Sequence, residues 1–258
     1  MHLNSSIYSS PILKISLWIA VMISLVGLQT VEAKPKWKVF LKKKGIAVSE
    51  RPEKGRDLPS FKGTGIVPGT LFEILAVLRD GKRRKEWMSR SGLTRDVKVS
   101  NHFTAISYQQ TLAPWPASDR DVVMKTKVYY QESSKSMIAT FNHVHWKKKI
   151  SGVDRDDFIE MPYLKGYWYL RYVSDHQTEV TYMVNTDPGG LLPNWLISRI
   201  TSDVPYYTIL GLRKQVKRST GRYENFLNLY DPIRLKQPHP PKIDILPAPP
   251  AHVLAYTR

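Results

Sequence analysis

Residues 179–200, EVTYMVNTDPGGLLPNWLISRI, change character at their middle. Glu179–Thr186 is rich in β-branched and aromatic side chains, the composition of a strand. Asp187-Pro188-Gly189-Gly190 is a cluster of turn residues that closes it. Beyond the turn Leu192, Trp195, Leu196 and Ile200 recur at helical spacing. Ile209, Leu212 and Val216 resume the same stripe, so a long helix is expected from about Leu192 to about Leu227. Pro205 lies inside that pattern and should kink the helix, because it removes one backbone donor.

The residues before this junction read as strands around one helix. Lys34–Lys44, KPKWKVFLKKK, sets six lysines around Trp37, Val39, Phe40 and Leu41. It suits either a charged edge strand or an interfacial patch for anionic lipid. After the turn at Gly45, Ile46–Val48 and Phe61–Val67 give two short strands. Leu71, Ile74, Leu75 and Leu78 mark an amphipathic helix ended by Gly81, and a short basic helix follows over Lys82–Met88. From there the pattern is strands: Val97–Tyr108, Asp121–Tyr130, Met137–His145, Tyr167–Val173 and Glu179–Thr186. Their connections suggest a meandering antiparallel sheet. The order strands–helix–strands–long helix describes an α+β domain, a curved antiparallel sheet wrapped around its C-terminal helix. A single helix does not fill the concave face of such a sheet, and the remainder is a hydrophobic cavity.

Composition restricts what the cavity serves. The 258 residues carry 39 Lys plus Arg against 22 Asp plus Glu, a net +17, and no cysteine. Absence of Cys removes disulfides, thiolate metal sites and thiol catalysis. The charge predicts an acidic partner. Ile15–Leu28 is an uncharged apolar run whose 14 residues would rise about 21 Å as a helix, short of a bilayer core. Val31-Glu32-Ala33 follows it with the small residues of a signal-peptidase site. Residues 1–33 therefore read as a cleaved signal peptide, with a retained N-terminal anchor as the alternative. The expected location is periplasmic or secreted. Nucleic acid is then not the expected partner; anionic lipid is. From Asp231 onward seven prolines in 28 residues point to an extended tail, residues 231–258.

Two segments are specific enough to carry a family resemblance: Trp115-Pro-Ala-Ser-Asp-Arg-Asp121 and Thr181-Tyr-Met-Val-Asn-Thr-Asp-Pro-Gly-Gly190. Trp87, Gly45-Ile-Ala-Val48 and Pro205 support them in order and spacing. Together they resemble the START (StAR-related lipid-transfer) domain over approximately Trp37–Phe226, nearest to the ceramide- and phospholipid-transfer branches. The resemblance implies a START domain over residues 34–230, with the helix-grip fold shared by Bet v 1-like proteins. It further implies a non-enzymatic carrier that encloses one lipid (phospholipid, sphingolipid or sterol-like), needs no cofactor or metal, and docks transiently on membranes as a monomer. A START-like enzyme of the cyclase or hydroxylase type and a basic surface-adhesion module are the alternatives.

Strand alternation puts Val122, Met124 and Thr126 on one face of Asp121–Tyr130, expected to face the cavity. Leu196 and Ile200 should line it from the helix, and Trp87 from the short basic helix. The resemblance matches Gln109, Arg84 and Thr140 to polar head-group positions of the ceramide-transfer branch. Met88 stands where that branch has an acid, and Val204 where it has a Tyr before Pro205. Glu86 matches a carboxylate that sterol-type members pair with an Arg, but Thr126 occupies the Arg position here. Alternation leaves the facing of Gln109 open, since Ile106 and Tyr108 are the apolar partners in that strand; the resemblance turns Gln109 inward. Arg120 reads as a structural pair with a carboxylate or as a ligand contact. Trp115, between two prolines, is expected at a membrane-contact loop. His143 and His145 share a strand face without a third metal ligand, and Asp154, Asp156 and Asp157 lack the completing residues of a calcium loop.

Overall fold

The computed structural model describes residues 36–190, 192, 194–236 and 246–255, without the side chains of residues 194, 195 and 198–202. The signal-peptide expectation, residues 1–33, lies outside the described residues.

Among them a ten-stranded sheet forms. Its strands are β1 Lys38–Lys43, β2 Ile46–Arg51, β3 Ser60–Pro68, β4 Ser91–Asn101, β5 Thr104–Thr111, β6 Arg120–Gln131, β7 Ser136–His143, β8 Ile159–Glu160, β9 Tyr163–Ser174 and β10 Gln177–Asp187. The spatial order is β1-β2-β3-β10-β9-β7-β6-β5-β4, antiparallel along this path, with the two-residue β8 parallel to β6. The described residues also form four α-helices, α1 Leu71–Arg79, α2 Asn194–Arg218, α3 Glu224–Tyr230 and α4 Ala251–Leu254, and 3₁₀ turns at Gly81–Glu86 and Glu132–Ser134. The α+β, helix-gripping architecture is the expected one.

Helix α1 starts where a capping box makes it start. Thr70 accepts from the Glu73 amide at 3.1 Å, and Glu73 Oε2 accepts from the Thr70 amide at 2.9 Å, so two orphan donors are satisfied. Ile74 and Leu75 beneath it are essentially sealed from solvent, and each such side chain contributes roughly 1.5–3 kcal/mol. Helix α2 continues through Pro205 and lies directly on β3. A β-carbon at Gly63 would stand 3.0 Å from the Pro205 carbonyl oxygen, and one at Gly211 would overlap the Trp87 carbonyl. The helix reaches the sheet and the first 3₁₀ turn only because both positions lack side chains. Arg213 then fastens its far end, donating to the carbonyls of Ile66 (2.7 Å), Lys44 (2.6 Å) and Gly45 (3.1 Å).

Three expectations change. Val97–Tyr108 is not one strand but the β4–β5 hairpin, turned at His102-Phe103 where the Phe103 amide donates to Asn101 Oδ1 at 2.8 Å. The local side-chain bond replaces the Gly that usually marks a two-residue turn. The long C-terminal helix stops at Arg218, and Ser219–Tyr223, with Gly221 at φ 80°, turns the chain into α3. The described end of the tail is not extended throughout: it holds the helix α4 and is docked, with Leu246 and Val253 buried and the Tyr130 amide donating to the Pro247 carbonyl at 3.3 Å. Val253 joins Ile138, Tyr167 and Met183 on the outer sheet face, flanked by Trp37, Tyr129 and Tyr169.

Candidate functional site

Between the inner sheet face, α1 and α2 lies a cavity of about 240 Å³. Alternation builds its wall. Val122, Met124, Thr126 and Val128 of β6, Ala139 and Phe141 of β7, and Tyr182 and Val184 of β10 all point inward. The intervening residues Val123 and Tyr108 pack outside against Ile150. Trp87 and Trp168 meet edge to face at 5.9 Å, and Trp168 stacks on Tyr182 at 4.4 Å, giving the wall a rigid aromatic corner.

Arg84 opens onto this mainly apolar space. Arg84 Nη1 donates to Gln109 Oε1 at 3.0 Å, and Nη2 donates to the Leu78 carbonyl at 3.0 Å. Arg84 is partly buried and belongs to the cavity lining. Burial pulls its pKa down, and Asp96, Tyr182 and Asp80 pull it back up. Even so lowered, an arginine remains charged. Two donor bonds out of five leave N–H groups for another acceptor. Trp87 Nε1, also buried, has no partner among the described residues. Gln109 accepts through its oxygen, which keeps its amide donor for a further bond. The corner is therefore rich in donors and positive: it fits a ligand group that brings acceptor oxygens or negative charge.

The lining also includes Arg79, Asp96, His102 and Phe103. His102 Nδ1 and the Tyr230 hydroxyl are 3.0 Å apart, and Arg79 lies 4.4 Å over the Phe226 ring. Burial first, then Arg79, holds the His102 pKa below its ordinary value.

Of the residues singled out from sequence, the structure brings Arg84, Trp87, Gln109, Val122, Met124, Thr126 and Val204 to the cavity. Gln109 is inward, as the resemblance implied. Others lie elsewhere. Glu86 faces outward, bound by Arg83 Nη1 and Gln215 Nε2, both at 3.0 Å; the Gln215 bond lowers its pKa most. Thr140 occupies the outer face because Ala139 and Phe141 take the inward positions, and its hydroxyl donates to the Lys127 carbonyl at 3.3 Å. Arg120 is an architectural residue: it donates to the carbonyls of Ser118, Pro188 and Gly189, tying the Trp115 loop to the turn before α2. Its neighbour Asp121 is 1% exposed and is clamped by Arg155, Nε to Oδ2 at 2.6 Å and Nη2 to Oδ1 at 3.0 Å. Leu196 is buried in packing outside the lining. The Ile200 side chain lies outside the described residues. Sequence reasoning missed Phe141, Trp168 and Tyr182, though alternation along β7, β9 and β10 would have found them.

Trp115 is 90% exposed in the β5–β6 loop. His143 Nε2 stands 3.6 Å from Glu160. Among the described residues no three His, Cys, Asp or Glu gather as a metal site, and no helix is long and apolar enough to cross a membrane.

No family model matches the chain. A STAR-related lipid transfer protein from Xanthomonas axonopodis superposes with a TM-score of 0.63 at 25% identity, over 70% of this chain and 98% of that one. An uncharacterised protein of Pseudomonas aeruginosa is 27% identical over 183 residues, 70% of this chain and 87% of its own. START domain-containing protein 10 of mouse is 23% identical over 173 residues; that match spans 65% of this chain and 57% of the mouse protein.

Proposed function

We propose that this chain, which has the helix-grip fold of the START lipid-transfer domains, carries one lipid with its head group at Arg84 and catalyses no reaction on it. The observation behind this reading is a partly buried guanidinium with unused donors in the lining of a mainly apolar cavity. Apolar walls supply affinity at about 0.8 kcal/mol per buried methylene. The donors at Arg84, Trp87 and Gln109 supply selection, since a head group without acceptors would leave them unsatisfied. At about 240 Å³ the cavity is smaller than the roughly 300–1,000 Å³ of pockets for drug-sized ligands. The fold as it stands has room for part of one acyl chain; a longer chain, a two-chain lipid or a sterol requires the walls to part.

Trp115 is the proposed point of bilayer contact. A solvent-exposed indole on a loop costs nothing to transfer into a head-group region and gains from its apolar body. The export address in residues 1–33 supports action outside the cytoplasm, and the mature chain purified from its host should begin at Lys34 on N-terminal sequencing. The deciding experiment is native mass spectrometry of the host-purified protein, followed by lipid identification. One bound lipid per chain, with an acidic or acceptor-rich head group, is expected. Protein that arrives empty and takes nothing from vesicles overturns the reading.

A further inference from the structure

The end of the sheet opposite Trp115 carries a second surface. Strand register separates the two ends. Thr111 pairs with Arg120 beside the Trp115 loop, whereas Lys43 pairs with Ile46, Ile46 with Gly65, and Pro68 with Gln177 at the other end. The 12 residues of β6, at a rise of 3.2–3.4 Å each, put these ends on the order of 40 Å apart.

Helix α2 runs from the first end to the second, and Arg213 docks its last turns on the β1–β2 turn through the Lys44 and Gly45 carbonyls. Two groups of cations meet there: Lys42, Lys43 and Lys44 from the turn, and Lys214, Lys217 and Arg218 from the helix. All six are exposed, and none forms an ion pair among the described residues. The neighbouring carboxylates are engaged elsewhere. Glu179 is held by Arg171 at 3.0 Å, and Glu73 accepts from the Thr70 amide. A helix C-terminus favours basic residues in its last turn, which accounts for Lys217 and Arg218. It does not account for the turn lysines. Lys44 sits at φ 51°, where Gly or Asn is the ordinary occupant.

We propose that this basic end is a second membrane-facing surface, seated on anionic lipid head groups, so that one domain bridges two bilayers with Trp115 on one and the lysine cluster on the other. The proposal rests on the reading of Trp115 given above. Clustered lysines next to a membrane are drawn to its negative surface potential. Val39 and Phe40, 47% and 39% exposed, lie further along the same edge strand, where Phe40 meets Phe61, so the seating of this end rests on its charge. A separation several times the roughly 8 Å screening length at physiological salt lets the two ends act independently.

The test is clustering of small phosphatidylglycerol/phosphatidylcholine vesicles by the protein as its host produces it, followed by light scattering. Clustering is expected at low salt and should disperse in high salt. The variant Lys42→Glu/Lys43→Glu/Lys214→Glu/Lys217→Glu should lose clustering at least ten-fold. It should still carry its lipid, which shows it folded, and still co-float with vesicles through Trp115. Trp115→Ala should also lose clustering yet remain bound to anionic vesicles at low salt. Clustering that survives the charge reversal overturns the bridging proposal, as does its absence with the unaltered protein. So does a charge-reversal defect seen with double-stranded DNA but not with vesicles. If Trp115→Ala alone clusters normally, the Trp115 contact and the two-ended bridge both fail, while one bound lipid per chain would still support the carrier reading.

Discussion

Arg84 spends hydration to stand in an apolar wall, and its two bonds, to Gln109 and the Leu78 carbonyl, involve no carboxylate. Replacing it tests what that arrangement is for. Arg84→Met keeps the length and removes the charge. Lipid retention, measured as bound lipid per chain after gel filtration, should fall at least ten-fold, equivalent to about 1.4 kcal/mol, without a loss of thermal stability. An equal loss of melting temperature would assign Arg84 to the architecture. Trp115→Ala should behave oppositely: at 90% exposure the change should stay within about 0.5 kcal/mol in stability while weakening vesicle partitioning. At this scale the sequence was legible where period and chemistry agreed. Val122, Met124 and Thr126 alternate and line the cavity; Thr140 was assigned by likeness alone, and the pleat put it outside. Glu86 shows the same failure, since a helical neighbour of a cavity residue need not share its face.

Elements are held by a few polar clamps. Asp121, the second residue of β6, lies inside the protein, and Arg155 from the β7–β8 loop neutralises it with two bonds. Arg155→Met would strand a buried carboxylate, and such losses cost about 3–5 kcal/mol; urea unfolding should show it. Tyr108 beside the pair has its phenol pushed up to about 12, chiefly by burial. In the cavity lining His102 joins the β4–β5 hairpin to Tyr230 of α3. Its pKa is lowered from 6.5 by burial and by Arg79, so the fold binds its neutral form. The stability it contributes is present above pH 6.5 and is lost as pH falls through the lowered value. The melting temperature should therefore drop on acidification below pH 6.5, and less so in His102→Gln, compared across the same pH series. This hairpin was invisible in sequence because Asn101-His102-Phe103 lacks Gly or Pro, and its turn depends on one Asn side-chain bond. The break after Arg218 was hidden likewise: Ser219, Thr220 and Gly221 interrupt a stripe that Phe226 and Leu227 resume.

For the molecule as a whole, the order of strands and helices already determined one curved sheet closed by one long helix, and the structure keeps that plan. The tail departed from it because seven prolines in 28 residues report local stiffness and not where two apolar side chains, Leu246 and Val253, find partners. Removing residues 246–255 should uncover Ile138, Tyr167 and Met183 on the outer sheet face. Loss of the Val253 contact alone is worth roughly 1.5–3 kcal/mol, readable as a lower urea midpoint, and the truncated protein should bind more of a hydrophobic dye. That outer cluster also brings Trp37, near the start of the folded unit, against Val253 and Leu254, near its end. A short Gly/Ser bridge could therefore join the two, and the gene could be circularly permuted to open at the exposed Lys147–Lys149 turn. A fluorophore pair placed at such new ends would report from beside Asp121 and Arg155, close to where the Trp115 loop is anchored.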